Sequence, residues 1–477
     1  MRKIIYFLLI IIFIIGCQSN KPSIVIETDH SIDWLPERKD VQAGAILVPE
    51  NHDEPNGKKI KITYIVLKAK DTASTAFPLI YFSGGPGGNT LGQGMVNFIL
   101  QQPMRNERDI ILFDQRGIGY SSALPDMSPD SFDIMAKDAN EEEELRLMTE
   151  MIHKYKTKCE QQNISPEYYN SIQNAKDVGI LFKYLGYKKY NLMGGSYGTR
   201  LGRIVQDMFP EYIHSSVLDS PAPLSGDFLL DRLDSYSLAL SRIFEYCEND
   251  PDCKDQYPKL KDDYFKAISI LEENPLEVSL NDSLKVFINA QDGIYLLRRL
   301  LYQSNSREKA PELIKAYIEG GGKVINEVLQ FESQLTGGLN LSMLLSVEKY
   351  ENFDPANSSQ VIEESYKKYP LIPVKLGFFD AFYQAGRVWH DNNLPMEKRK
   401  FQDSDIPTLI FVNQFDPVTP PKNGHIFKKN LSNGILLILD EGGHGGGNRK
   451  CKDQIIIDFM NNPTQKLNTS CLNIYKE

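Results

Sequence analysis

The stretch Gly194-Gly195-Ser196-Tyr197-Gly198 constrains this chain more than any other, because of what flanks it. Before it, Lys189 to Met193 reads as a short β-strand. After it, Leu201, Ile204, Val205 and Met208 recur at i, i+3, i+4 and i+7, one face of a helix. A strand, a sharp turn and a helix, with serine at the turn, is the setting of a nucleophile elbow. Such a turn strains the serine backbone and tolerates only small neighbours. Gly194 and Gly198 supply them, and Gly202 is expected to let the helix sit close to the sheet.

Other segments set the fold class. Ala43 to Val48 and Lys59 to Leu67 read as strands joined by a turn at Asn51 to Gly57. Lys59-Ile60-Lys61-Ile62-Thr63-Tyr64 begins with the alternation of a half-buried strand. Short apolar runs follow at Phe77 to Phe82, Asp109 to Phe113, Ser215 to Leu218, Thr408 to Val412 and Ile435 to Leu439. Ala175 to Leu185 carries Val178, Leu181, Phe182 and Leu185 on one helical face and stops at Gly186. Strands alternating with helices predict an α/β fold with a mostly parallel sheet covered on both faces.

At 477 residues the chain is long for one domain. The rhythm breaks between residues 225 and 395, which read as mostly helical with few convincing strands, and resumes near Ile406-Pro407. The expected organisation is a core in two parts, 40–224 and 396–477, with 225–395 inserted after the sixth strand as a helical cap. A net charge of −10 argues against nucleic acid as a partner.

The N-terminus reads as a processed leader. Arg2-Lys3 precedes an apolar run from Ile4 to Ile15, which ends in Gly16-Cys17. That run is well short of the roughly 20 residues a spanning helix needs. It resembles a bacterial lipobox, with residues 1–16 removed, Cys17 lipidated and 17–39 a tether. A general secretory signal with an incidental cysteine is the alternative. Both readings place the protein outside the cytosol. With a lipid at Cys17 it would be a membrane-anchored lipoprotein. Gln18, rather than aspartate, after the cysteine points to an outer-membrane or periplasmic-face address, or to the cell surface where there is one membrane.

Cys159, Cys247, Cys253, Cys451 and Cys471 remain. An oxidising compartment favours pairing. Local spacing favours Cys247 with Cys253 and Cys451 with Cys471, leaving Cys159 as a buried thiol, although spacing does not prove connectivity. No C-x-x-C or H-E-x-x-H motif occurs and the seven histidines are scattered, so no metal or cofactor is expected.

A serine nucleophile needs a base, and the base an orienting carboxylate. After an elbow of this kind the chain order is serine, acid, histidine. Asp416 follows the strand Thr408 to Val412, and His444 lies in a glycine-rich loop after Ile435 to Leu439. Both therefore fall at the carboxyl edge of the sheet, where Ser196 lies. His425 also follows Asp416 but sits in an expected helix. Asp440 and Glu441 are rivals to Asp416, only four and three residues before the histidine. For the oxyanion, the donors expected are the amide of Tyr197 and the Gly84-Gly85 turn.

Taken in order, Gly84-Gly85-Pro86-Gly87, Asp114-Gln115-Arg116-Gly117-x-Gly119-x-Ser121, Gly195-Ser196-Tyr197-Gly198-Thr199, Asp416-Pro417-Val418-Thr419-Pro420 and Gly443-His444-Gly445 resemble the prolyl and tripeptidyl aminopeptidase family of α/β-hydrolases. Val48-Pro49-Glu50 with the strand that follows is similar to the family's entry segment. The likeness covers about residues 40–225 and 400–475. It implies an α/β-hydrolase fold with an inserted cap, and a serine exopeptidase acting on free peptide N-termini. Ser196 would be nucleophile, Asp416 orienter and His444 base. Ser83 stands where cytosolic prolyl aminopeptidases carry histidine, and the tryptophan-rich cap motif is absent, the only tryptophans being Trp34 and Trp389. These departures, with late cysteines 451 and 471 that resemble its pairing, favour the secreted tripeptidyl-like branch.

An aminopeptidase must hold a cationic α-amine, so a cap carboxylate is expected. Glu245, Glu248, Asp250, Glu272 and Glu273 are the candidates. Two other readings stay open. An esterase would keep the triad and need no amine anchor, and a non-catalytic lipoprotein would use the fold as a binding surface.

Overall fold

Nine strands form one sheet in the computed structural model, which describes residues 25–27, 31–224, 226–281 and 284–475. Residues 1–16 and Cys17 lie outside the described residues. The strands in chain order are β1 (Val25–Glu27), β2 (Val41–Pro49), β3 (Lys59–Leu67), β4 (Leu79–Phe82), β5 (Ile110–Phe113), β6 (Tyr190–Gly195) and β7 (Ile213–Asp219). A hairpin of β8 (Leu276–Asn281) and β9 (Leu284–Ile288) stands apart, and β10 (Thr408–Asn413) and β11 (Gly434–Leu439) complete the sheet. The spatial order is β1-β2-β3-β5-β4-β6-β7-β10-β11. Pairing is antiparallel from β1 through β3 to β5 and parallel from β5 to β11. The parallel centre is where strands are buried on both faces, and β5 and β10 are wholly buried.

Helices cover both faces. Ser171–Leu185 and Tyr197–Met208 bring Val178, Leu181, Leu201 and Val205 against one face. Gln93–Leu100 and Arg449–Asn461 bring Val96, Ile455 and Phe459 against the other. Ser171–Leu185 ends at Gly186, whose φ of 73° is the left-handed conformation that glycine adopts without penalty. Of the apolar stripe on Tyr197–Met208, Met208 is the member left exposed.

Between β7 and β10 the chain is mostly helical, from Phe228–Asn249 to Gly377–Gly386. Its apolar faces join the sheet's own core. Ile80 and Leu192 from the sheet share one cluster with Leu240, Leu297 and Val328 from the cap. Two differences from the sequence reading stand out. The cap follows the seventh strand rather than the sixth, because β1 pairs at the sheet edge ahead of β2. The cap also contains the β8–β9 hairpin, whose Leu276/Val278 and Val286/Ile288 keep the period of two that marks a strand. Disulfides join Cys247 to Cys253 and Cys451 to Cys471, and Cys159 is a buried thiol. Among the described residues no helix is long and apolar enough to cross a membrane.

The turn after β6 is held by contact rather than by loop length. A Cβ on Gly198 would overlap the carbonyl oxygen of Phe82, and one on Gly194 the carbonyl of Gly198. Those two glycines are therefore obligatory for β6 and its helix to approach β4. Gly202 differs from expectation: a Cβ there would meet Phe82 and Leu218 at 3.5 and 3.6 Å, ordinary van der Waals contact.

Candidate active site

Ser196 sits between β6 and the helix Tyr197–Met208 with φ 53° and ψ −124°, a conformation a non-glycine residue adopts only where the surroundings impose it. Here the imposition is the contact of Gly194, Gly198 and Phe82 just described. The amide of Tyr197 opens the helix, where an N–H has no intrahelical acceptor and carries the positive end of the helix dipole. Gly84 approaches from the end of β4. A Cβ on it would lie 3.1 Å from that of Ser196, a tight contact that bare backbone avoids. Gly85, with φ 113°, lines the same cavities as Ser196.

The Gly84 loop is tied down from below by the Asp114-Gln115-Arg116 segment. Asp114 Oδ1 accepts the amides of Thr90 and Leu91 at 2.8 and 2.9 Å, and its Oδ2 accepts that of Tyr120 at 2.8 Å. Burial pushes this carboxyl up to about 6 despite those three donors. Gln115 Nε2 donates to the carbonyl of Ser83 at 3.2 Å, and Ser83 Oγ donates to the carbonyl of Gly88 at 2.8 Å. Arg116 grips Asp177 through two hydrogen bonds of 2.7 Å. The motif thus shapes the donor loop without touching the cavity.

Asp416 lies just past β10 and His444 just past β11. His444 Nδ1 stands 2.8 Å from Asp416 Oδ2. Neither Asp440 nor Glu441 bonds the imidazole. Asp416 Oδ1 accepts the amides of Val418 and Thr419, both at 2.8 Å, and Thr419 Oγ1 donates to Oδ2 at 2.7 Å. Burial acts to raise the Asp416 pKa, yet the imidazole and these donors outweigh it and hold the carboxyl below its ordinary value. Burial likewise acts to lower His444, and the facing carboxylate outweighs it, so the imidazole pKa is raised. An ionised Asp416 can only accept, which puts the shared proton on Nδ1 and leaves Nε2 free. His425, by contrast, is exposed on the helix Pro421–Lys429.

The loop bearing His444 is clamped on two sides. From the core, Ser220 Oγ accepts the Gly445 amide at 3.0 Å, and Lys452 Nζ donates to Asp219 Oδ2 at 2.5 Å and to the Gly446 carbonyl at 3.1 Å. From the cap, the carbonyl of Gln303 accepts the Gly443 amide at 3.1 Å. A side chain at Gly443 would collide with the Leu301 carbonyl. The Tyr302 ring packs edge-on to His444 with centroids 5.2 Å apart.

Ser196 opens into two cavities beneath the cap. One, of about 340 Å³, also contains His444 and is walled by aromatic and aliphatic side chains such as Phe378, Phe379 and Leu344. The other, about 70 Å³, contains Asp231 and Glu348. None of Glu245, Glu248, Asp250, Glu272 and Glu273 lines either cavity. All but Asp250 are exposed, and Asp250 caps the helix Pro251–Gln256 by accepting the Cys253 amide. Glu245 and Glu248 lie on the helix Phe228–Asn249 and Glu272 and Glu273 on the helix Leu260–Glu273, on turns that do not line the site. Thr419, Ser220 and Tyr302 were not singled out. Thr419 had a signal, since an aspartate followed by threonine three residues on can bond its own turn. Nothing in the sequence marked Tyr302.

The sequence pattern described as the alpha/beta hydrolase fold matches residues 78–256, and that described as TAP-like protein matches residues 385–471. The chain has the α/β-hydrolase fold, and its C-terminal part is similar to the TAP-like proteins. It is 30% identical over 209 residues to a tripeptidyl aminopeptidase of Streptomyces coelicolor, covering 42% of this chain and 38% of that protein. It therefore matches less than half the length of that relative. A longer match, 23% identical over 443 residues, covers 87% of this chain and 82% of the putative hydrolase YuaR of Escherichia coli. The serine protease Hip1 of Mycobacterium tuberculosis is 22% identical over 200 residues, 39% of this chain and 36% of that protein.

The ion pair makes a direct prediction for any substrate this site hydrolyses. Catalysis needs a neutral imidazole, so kcat/KM should climb as pH rises through the His444 titration, with a midpoint above imidazole's ordinary value of about 6.5. Asp416→Asn should lower that midpoint and cut kcat by roughly 10³–10⁴. Asp440→Asn should change neither. Steady-state pH profiles of the two variants check this, and damage from Asp440→Asn in place of Asp416→Asn would contradict it.

Proposed function

We propose that the protein is a serine exopeptidase that releases residues from free peptide N-termini. Ser196 Oγ would attack the scissile carbonyl while His444 Nε2 takes its proton, with Asp416 holding the imidazole in the required tautomer. The amides of Tyr197 and Gly85 would meet the developing oxyanion, where fixed donors stabilise charge without reorganising. The leaving amine would take the proton back from His444, and water would then hydrolyse the acyl-enzyme. The relatives named tripeptidyl aminopeptidase and serine protease support a peptidase.

One observation carries the exopeptidase part. The small cavity beside Ser196 is lined in part by the cap and holds two carboxylates, Asp231 and Glu348, together with Arg200, Arg232 and Lys422. Glu348 is 4% exposed and accepts a hydrogen bond from Asn352 Nδ2 at 2.5 Å, with Arg200 3.9 Å from its other oxygen. Burial pushes Asp231 up to about 6. Burying an unpaired ammonium is costly, so acidic groups beside the nucleophile suit an α-amine. An ester site would need no such groups.

Free and N-acetylated versions of one peptide amide test this reading. A charge-assisted contact worth about 1.5–3 kcal/mol implies roughly 10- to 150-fold higher kcat/KM for the free amine. Asp231→Asn should shrink that ratio. Equal values for the two substrates would favour the ester reading instead.

A lipid anchor at Cys17 belongs to the proposal on the strength of residues 2–17 alone. The mature protein should partition into detergent, and Cys17→Ser should prevent that. Recovery of the wild-type protein in the aqueous phase would contradict the anchor.

A further inference from the structure

The large cavity is apolar in most of its wall, but it carries more positive charge than its carboxylates balance. Glu332 is the acidic residue that lines it, and that carboxylate is already engaged. Arg299 Nε lies 2.7 Å from Glu332 Oε2, and Tyr295 and Thr336 each donate to Oε1 at 2.6 Å. Arg298, behind the wall, is 1% exposed, and its Nη2 reaches the Pro417 carbonyl at 3.2 Å. Arg232 stands at the junction, lining both this cavity and the smaller one beside Ser196.

Among the described residues Arg232 has no ion-pair partner, and its hydrogen bond runs from Nη1 to the Phe228 carbonyl at 2.7 Å. The guanidinium lies over the Phe228 ring with its central carbon 3.4 Å from the centroid, and 5.1 Å from that of Phe379. Stacking of this kind satisfies the faces of the group and leaves its edge for a planar acceptor. Burial lowers the Arg232 pKa to about 10, so the group stays cationic at neutral pH. The field it shares with its neighbours is visible at Tyr302. Burial acts to raise that phenol, yet Arg298, Arg299, His444 and Arg232 pull it down to about 8.

An unpaired cation that is partly withdrawn from water is costly unless something completes it. The nearby acids do not. Glu348 and Asp231 act on Arg232 through space, without a salt bridge to it. We propose that Arg232 is a receptor for a carboxylate of the substrate, its stacked guanidinium taking that group where the two cavities meet at Ser196. This rests on the exopeptidase reading and gives it a substrate class: peptides with a carboxylate close to the scissile bond. That carboxylate has two sources, an acidic side chain or the C-terminus of a short peptide.

The test compares kcat/KM for matched peptides with free N-termini. One arm exchanges Glu for Gln beside the scissile bond. The other exchanges a free C-terminal acid for its amide. At least one arm should favour the carboxylate by about tenfold or more, the scale of a charge-assisted pair, and the responding arm identifies the source. Arg232→Gln should bring that ratio toward one, and Arg232→Lys should keep part of it. Should Arg232→Gln prove unfolded by its melting curve, the wild-type and Arg232→Lys ratios decide. Equal kcat/KM in both arms for the wild-type protein overturns the carboxylate site while leaving the exopeptidase reading intact. A preference that survives in folded Arg232→Gln overturns it too. If none of the peptides is hydrolysed, the exopeptidase reading falls and takes this one with it.

Discussion

Everything at this site depends on how closely β6 and its helix approach β4. A Cβ on Gly198 would overlap the carbonyl of Phe82, and one on Gly194 that of Gly198, so only glycine fits at either position. Ser196, caught between, has no relaxed conformation available and takes φ 53°. The strain costs on the order of 1–3 kcal/mol and persists only because the sheet over-determines it. In return the serine is lifted above the carboxyl edge of the sheet, beside the first amide of a helix. The same approach brings Gly84 against Ser196. One packing constraint therefore positions both the nucleophile and the surface that faces its carbonyl.

The charged half of the site depends on hydrogen bonds in place of packing. Asp416 is a buried carboxylate, which costs several kcal/mol unless it is fully engaged. Two amides, the Thr419 hydroxyl and His444 engage it. His444 in turn lies on a loop wedged between core and cap, bonded to Ser220 and Gln303 at once. Cap and base are thus mechanically linked. The segment Leu301–Gln303 that meets the histidine loop directly follows the helix that carries Arg298 and Arg299.

How much of this could be read beforehand follows the range of the forces involved. The elbow was legible because its geometry demands glycine at fixed offsets from a serine. Asp416 and His444 were legible because parallel strands deliver the residues that follow them to one edge. The Cys247–Cys253 bond was legible from a short loop. The cap was different. Glu245 and Asp231 sit on the same helix, Phe228–Asn249, and sequence gave no means of telling which turn lies over Ser196. That choice is made by contacts with segments far along the chain, such as Glu348 and Arg232 meeting around one cavity. The β8–β9 hairpin was missed although its alternation is plain, because helical patterns surround it. At Gly202 the error ran the other way, since a glycine near a sheet need not be there for clearance.

The most direct test of the account is mass spectrometry of the chain quenched during turnover of a free N-terminal peptide ester. The account predicts an acyl group on Ser196, mapped to the peptide containing Gly194 to Arg200. It also predicts slower formation of that adduct from the N-acetylated ester under the same conditions. An acyl group on another residue, or turnover that persists in Ser196→Ala, would contradict it.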